Sequence, residues 1–385
     1  MSPWKKSRQH DVVLRKPLPT TTAKAIFVLD LTTGRSLAER SASSIQHVAS
    51  LTKIVTALVT LRLSRQHHLP LADTWCTVSQ RAAKVGGTSA QLKAGDKLTL
   101  IDLLHGLLLP SGNDAATVLA ETVGLLLLRA EQGNDEPVKY SEIVCEQRFV
   151  KEMQNENQRV GNLPESSLFL NPHGMDMDEN ISQSIIITTE DNEYENENEN
   201  ENHLNSDNTG LKSGNKQQQH VPRFHGSTAK SMVKFAVALM QFPEIETIVN
   251  TKKYMCQVFC SPISKMETKM EEAKMEEAKM ETEEITNKEI TTRTKKLVWH
   301  NTNKMLWKSQ HAMGLKTGWT QSAGPCLCSV MRVPILQKTK KTSRSDRKYH
   351  KILVLTLGSE SKSERWVEHT RIHRWARKIL SEKKN

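Results

Sequence analysis

Apolar residues run almost without interruption from Ala25 to Leu31 and are closed by Thr32, Thr33 and Gly34. A short apolar run ending in turn formers reads as a strand entering a hairpin, and Ser36 to Glu39 supplies the returning strand. From Ser50 to Leu63 the period changes: Ile54, Ala57, Leu58 and Leu61 fall on one face, which predicts a buried amphipathic helix. Two further helical patterns, Leu98 to Leu109 and Asp114 to Leu128, are separated by only Pro110, Ser111, Gly112 and Asn113, so the chain must turn sharply there. Later, Val298 to Leu306 and His311 to Thr320 lead into the apolar run Cys326 to Val333, and Ile352 to Leu357 is another strand. The chain closes on Arg365 to Leu380, where Trp366, Val367, Ile372, Trp375, Ile379 and Leu380 recur near helical spacing among basic residues. That pattern suits a terminal helix packed on a sheet or an amphipathic helix lying on a membrane, and a strand followed by a helix favours the first.

Two stretches break these patterns. Asp176 to Gln219 contains an alternating Glu-Asn tract from Glu193 to Asn202, which has nothing to bury, and disorder is expected there. Lys265 to Glu284 repeats Lys-Met-Glu-Glu-Ala, and a five-residue period turns Met270, Met275 and Met280 around a helix instead of stacking them on one face. The expected organisation is therefore a tail over residues 1–22 and one domain over 23–380, interrupted by an acidic insertion at 177–219 and a Lys/Met/Glu-rich insertion at 262–296.

The length of 385 residues allows a sizeable core, while 37% hydrophobic and 5% aromatic content place a good share of the chain in solvent, as the insertions do. The net charge of +11 is uneven: eleven acidic residues and no Lys or Arg lie between Asp176 and Asp207, so the remainder is more basic still. An anionic polymer or membrane surface is compatible with that balance. Nucleic acid is not expected, because the basic run from Lys338 to Lys348 has no interleaved aromatic residue before Tyr349. The six cysteines are scattered and read as free thiols, and Cys256 with Cys260 has no second Cys or His pair at metal spacing, so neither metal nor cofactor is expected. Met1 to Thr22 lacks the apolar stretch of a signal peptide, and no apolar run reaches the roughly 18 residues of a membrane span, so the expected protein stays in the compartment where it is made.

Three short motifs carry chemistry. In Ser50-Leu51-Thr52-Lys53 the serine and lysine are three apart at the start of a helix and share a face. A serine hydroxyl needs a base, and a lysine whose amine is neutralised by burial and a neighbouring cation supplies one. Ser111-Gly112-Asn113 sits in the tight break between two helices, where a loop aims both side chains one way. Lys316-Thr317-Gly318, followed by Trp319, reads as a strand edge whose glycine allows close approach of another backbone. Taken singly, each also reads as a helix cap, a loop or a turn.

Together, in this order, the motifs resemble the set shared by class A β-lactamases and penicillin-binding proteins, with Gly112 where that set has an aspartate. Their surroundings, Val48 to Ala57, Leu103 to Ala116 and Gly314 to Thr320, resemble the low-molecular-mass D-alanyl-D-alanine carboxypeptidases, as do Asn171-Pro172-His173-Gly174-Met175-Asp176, Asn301-Thr302-Asn303 and Ala323-Gly324. The resemblance implies an α/β (α+β) transpeptidase-like fold: an antiparallel sheet flanked by helices beside an all-helical lobe, with the site between. It implies Ser50 as nucleophile, Lys53 as its base, and Ser111 as proton relay to the leaving amine. Asn113 would hold the substrate amide, Lys316, Thr317 and Gly318 would form the substrate-binding strand, and the backbone N–H groups of Ser50 and Trp319 would form the oxyanion hole. The implied partners are D-Ala-D-Ala-terminated peptides and β-lactams. Relatives are exported, and several place an arginine just after the last strand to meet the substrate carboxylate; here that stretch is Gly358-Ser359-Glu360-Ser361, and Arg365 is the nearest candidate.

Two other readings remain open at this level. A β-lactamase or esterase on the same fold needs a carboxylate to activate the deacylating water, and the Glu-x-x-x-Asn pairs that could supply it are Glu201 with Asn205, Glu283 with Asn287 and Glu246 with Asn250. A non-catalytic penicillin or cell-wall-peptide binder would keep the three motifs without turnover.

Overall fold

The computed structural model describes residues 17–132, 138–161, 167–176, 224–260, 293–334 and 349–382. Its centre is a five-stranded antiparallel sheet built from β1 (Ala25–Asp30), β2 (Arg35–Arg40), β10 (Ala312–Thr320), β11 (Gly324–Pro334) and β12 (Tyr349–Leu357), in the order β10-β11-β12-β1-β2. The first and last of the described strands pair side by side, with Val28 opposite Val354, so the sheet closes only when both are in place. Every residue of β1 is buried because both faces of the sheet are covered. Ala25, Phe27 and Leu29 face the main core, whereas Ile26 and Val28 face the terminal helix α9 (Glu364–Glu382) through Ile372, Trp375, Ala376 and Ile379. The apolar side of α9 is thus occupied by the sheet, although Val367, counted in the apolar pattern, is 46% exposed.

Helix α1 (Thr52–Gln66) departs from the expected amphipathic form. It is buried on nearly every side, Thr52, Lys53, Thr56 and Thr60 included, because helices and the sheet surround it. Around it stand α4 (Asn113–Gln132), α5 (Glu142–Gly161) and α6 (Ala229–Leu239), with Phe149, Met153, Phe169 and Phe235 in the shared core. The helical pattern read from Leu98 also shifts. Leu98 and Thr99 end strand β5 (Asp96–Thr99), and Thr99 caps α3 (Leu100–Leu108) through a capping box with Asp102.

A second sheet, in the order β4-β5-β8-β9, joins β4 (Trp75–Thr77) and β5 to the hairpin β8 (Lys253–Cys260) and β9 (Arg293–His300). Residues 293–296, placed in the second insertion by sequence, belong to β9; Lys295 reaches the buried Asp96 at 2.6 Å. The strands β3 (Ile45–Gln46), β6 (Ser167–Leu168) and β7 (Gly226–Thr228) form a small third sheet beside the start of α1. Residues 177–219 and 262–292 of the expected insertions lie outside the described residues. Among the described residues no helix is long and apolar enough to cross a membrane, and no group of three or more His, Cys, Asp or Glu is placed to hold a metal ion.

Candidate active site

Ser50 lies in the single turn Ala49–Leu51 that precedes α1, and Lys53 follows one turn later. Lys53 is fully buried, with Nζ 3.1 Å from Ser50 Oγ, 2.6 Å from Asn113 Oδ1 and 2.8 Å from the His173 carbonyl oxygen. Burial holds its pKa well below the ordinary amine value, the nearby Lys316 cation lowers it further, and Asp114 pulls in the opposite direction. As an ammonium it donates to all three oxygens. As a neutral amine it keeps its two N–H bonds to Asn113 and His173 and turns its lone pair to Ser50 Oγ, the geometry of a base for that hydroxyl.

The break between α3 and α4 presents Ser111 and Asn113. Ser111 adopts φ +67, a left-handed conformation uncommon outside glycine, and its carbonyl accepts Thr88 Oγ1 at 2.6 Å. Asn113 Nδ2 donates to the Gly86 carbonyl at 2.6 Å, which leaves Oδ1 for Lys53. Gly112 is required by packing: a Cβ there would lie 2.5 Å from Asp114 Oδ1 and 2.9 Å from both Ala90 N and Ala90 Cβ. Asp114 holds this loop by accepting from Ala90 N and Ala115 N at 2.8 Å and from Ser89 Oγ at 2.7 Å.

Strand β10 is an edge strand and brings the third motif across. Lys316, also buried, places Nζ 2.8 Å from Ser111 Oγ, and its pKa is pushed down to about 7, first by burial and then by the charge of Arg365. Thr317 Oγ1 lies 2.9 Å from Thr302 Oγ1. A Cβ on Gly318 would be 3.2 Å from Ser50 N and 3.1 Å from the Val48 carbonyl, so a side chain there would press on the serine's backbone by a few tenths of an ångström. The exposed Trp319 follows, with Lys362 Nζ 3.8 Å from its ring centroid, beside a hollow of about 480 Å³ bordered by Ser322, Glu360 and Lys362.

Ser50, Lys53, Ser111, Asn113, Lys316 and Gly318, singled out from sequence, therefore converge on one cluster, whereas Arg365 has a different place. Its Nη1 donates to the carbonyls of Gly318 at 2.8 Å and Cys326 at 3.1 Å, so it braces the strand from within and is not displayed at the surface.

The profile of the D-alanyl-D-alanine carboxypeptidase family matches residues 12–124 and 264–333. Over those residues the chain is similar to this family. Among curated D-alanyl-D-alanine carboxypeptidases, DacF of Bacillus subtilis is 28% identical over 153 residues, 40% of this chain and 34% of that protein. DacC of Escherichia coli is 36% identical over 111 residues, 27% of this chain and 28% of that one. The matched part thus spans about a third of these relatives' length. The crystal structure of the Streptomyces K15 DD-transpeptidase superposes with a TM-score of 0.61 at 21% identity, covering 94% of this chain and 98% of that one. DacD from Francisella tularensis gives 0.58 at 21% identity, over 97% of this chain and 76% of that one. The fold is therefore the DD-peptidase fold, as its antiparallel sheet and helical lobe require.

Several partners in the cluster carry no signal of their own in the sequence. Thr88 lies in no motif. His173 and Thr302 belong to stretches that resemble the carboxypeptidase family, yet nothing in their residue types says that one offers a carbonyl to Lys53 and the other a hydroxyl to Thr317. His225 stands just beyond the acidic tract and reaches Thr52, inside the first motif, at 2.8 Å.

Proposed function

We propose that the chain is a serine-type D-alanyl-D-alanine carboxypeptidase that works through an acyl-enzyme at Ser50. The observation that carries this reading is the buried Lys53 amine, 3.1 Å from Ser50 Oγ, with its pKa held well below the ordinary amine value by burial and a second lysine. Ser50 Oγ attacks the carbonyl carbon of the penultimate D-alanine while its proton passes to Lys53. The N–H groups of Ser50 and Trp319 receive the developing oxyanion. Ser111, 2.8 Å from Lys316, relays to the amide nitrogen the proton that Lys53 took from Ser50, as the C–N bond breaks and the terminal D-alanine leaves. Water then attacks the ester, Lys53 takes its proton and returns it to Ser50 Oγ as the ester C–O bond breaks. Asn113 orients the substrate amide. Lys316 and Thr317 meet the terminal carboxylate, a task left to them by the engagement of Arg365 with backbone carbonyls. D-Ala-D-Ala-terminated peptides are the substrates and β-lactams the slow acylating agents.

The β-lactamase reading loses its described carboxylate: Glu246 is paired with Arg332 at 2.9 Å and Lys351 at 2.8 Å, and the other two Glu-Asn pairs lie outside the described residues. A binder and an enzyme differ in stoichiometry. Purified protein incubated with diacetyl-Lys-D-Ala-D-Ala should release D-alanine over many turnovers, and a fluorescent penicillin should label it covalently. Ser50→Ala should abolish the label, and Lys53→Ala should slow it by roughly a hundredfold to ten-thousandfold with the fold intact. Ser79→Ala is the control: it removes the cap of α2 (Gln80–Lys84), costs about 1 kcal/mol of stability and leaves labelling unchanged. A folded wild-type chain that takes no label, or Ser50→Ala labelling like wild type, refutes the assignment.

A further inference from the structure

The peptide group that joins Ala49 to Ser50 is held from its carbonyl end. Ala49 adopts φ +48, a left-handed conformation that a side chain disfavours and that needs external support. Its carbonyl oxygen accepts Thr52 Oγ1 at 2.8 Å. The same hydroxyl meets His225 Nε2 at 2.8 Å, and the other ring nitrogen, Nδ1, lies 3.1 Å from Leu170 N. A backbone amide can only donate, so Nδ1 is an acceptor and the ring proton is on Nε2. The hydrogens then run one way, from Leu170 N–H to His225 Nδ1, from His225 Nε2–H to Thr52 Oγ1, and from Thr52 Oγ1–H to the Ala49 carbonyl. Burial keeps the imidazole neutral by lowering its pKa to about 3. Gly174 closes the other side, since a Cβ there would lie 2.1 Å from Ala49 O.

A trans peptide group is a rigid plate whose C=O and N–H point in opposite directions, so holding the Ala49 carbonyl fixes the direction of Ser50 N–H. That nitrogen faces Gly318 of the site strand. Resting on the acyl-transfer reading above, we propose that His225 and Thr52 are positioning residues: they lock the Ala49–Ser50 peptide so that Ser50 N–H points at the reacting carbonyl. Hydrogen bonds in series also polarise one another, so a donor on the Ala49 oxygen makes Ser50 N–H a stronger donor in turn. Neither side chain touches the substrate.

The test reads the peptide directly and then its consequence. In the full chain labelled with 15N-serine, the Ser50 amide resonance is identified by its loss in Ser50→Ala. Thr52→Val removes the hydroxyl at nearly constant shape, and the Ser50 amide proton is expected to move upfield. Penicillin acylation should slow by about tenfold to a hundredfold, less than loss of a direct oxyanion donor, while the concentration for half-maximal rate stays the same. Thr52→Ser should restore both readouts. His225→Gln, whose amide nitrogen can still donate to Thr52, should retain more of both than His225→Leu, which gives a second series if Thr52→Val does not fold. An unmoved Ser50 amide or wild-type acylation in Thr52→Val overturns the relay, as does equal loss in His225→Gln and His225→Leu. If the unsubstituted chain takes no penicillin at all, the acyl-transfer reading fails, and the amide shift still decides whether the relay holds the peptide.

Discussion

Lys316 Nζ and Ser111 Oγ lie 2.8 Å apart in a buried contact that ties the edge of the five-stranded sheet to the helical lobe. The same lysine lowers the pKa of Lys53, so the charge on the sheet-edge amine bears on the amine beside Ser50. With the Lys316 pKa pushed down to about 7, its charge changes around neutral pH.

A pH dependence follows with a definite sign. If Lys316 meets the substrate carboxylate as proposed, KM for diacetyl-Lys-D-Ala-D-Ala should rise as pH climbs through about 7 and its charge is lost, by at most about tenfold per pH unit. The turnover number should fall on the acid side, where Lys53 takes up a proton. Steady-state kinetics from mildly acidic to alkaline pH separate the two, and Lys316→Arg, charged throughout, should flatten the KM limb. A flat KM in the unsubstituted chain would show that Lys316 does not hold the carboxylate.

Placing at position 112 the aspartate of the resembling motif set should harm this protein. Any Cβ there meets Asp114 Oδ1 at 2.5 Å and the Ala90 backbone nitrogen at 2.9 Å, and the first is a carboxylate already committed to the loop. Gly112→Ala should cost about 1–3 kcal/mol in urea unfolding, and Gly112→Asp more, because it adds a like charge. Both should slow penicillin labelling by displacing Asn113, and wild-type unfolding midpoints would refute the packing account.

The contact between α9 and the sheet contains two buried histidines. Ser329 Oγ meets His369 Nδ1 at 2.7 Å and His373 Nε2 at 2.8 Å, and burial pushes the His373 pKa down to about 3. The unfolded chain takes up the proton first, so stability contributed by the neutral ring is present above the ordinary histidine pKa of about 6.5 and is lost as pH falls towards about 3, by at most about 1.4 kcal/mol per unit. His373→Gln should make the urea midpoint fall less steeply over that window, and an unchanged slope would exclude this histidine as a source of acid sensitivity.

The two low-complexity tracts should be dispensable. Cys260 and Arg293, which flank residues 261–292 in the sequence, are paired across β8 and β9, so these two positions are held together by the sheet itself. A chain lacking Glu193 to Asn202 and Lys269 to Glu284 should unfold cooperatively and bind fluorescent penicillin as before. Loss of cooperative unfolding would place part of the core inside the tracts.

Strand periodicity, the three motifs and the closing helix were legible along the chain because each depends on neighbours a few residues away. Ser50 and Lys53 share a face by helical geometry alone, and Gly112 and Gly318 announce a tight turn and a close approach. The extent of burial around α1 was not legible, since a helix covered on all sides by distant segments shows the same local spacing as one covered on a single side. Nor was the end of β5, where Thr99 reads as helical until its side chain is seen capping α3. The pairing of Lys316 with Ser111, 205 positions away, the withdrawal of Arg365 onto strand carbonyls, and the reach of His225 to Thr52 across 173 positions were all decided by tertiary packing. Sequence determines which groups are available and how neighbouring ones are spaced. Which of them lose water together, and so which amine is neutral and which carbonyl is held, depends on segments that meet only when β1 and β12 close the sheet.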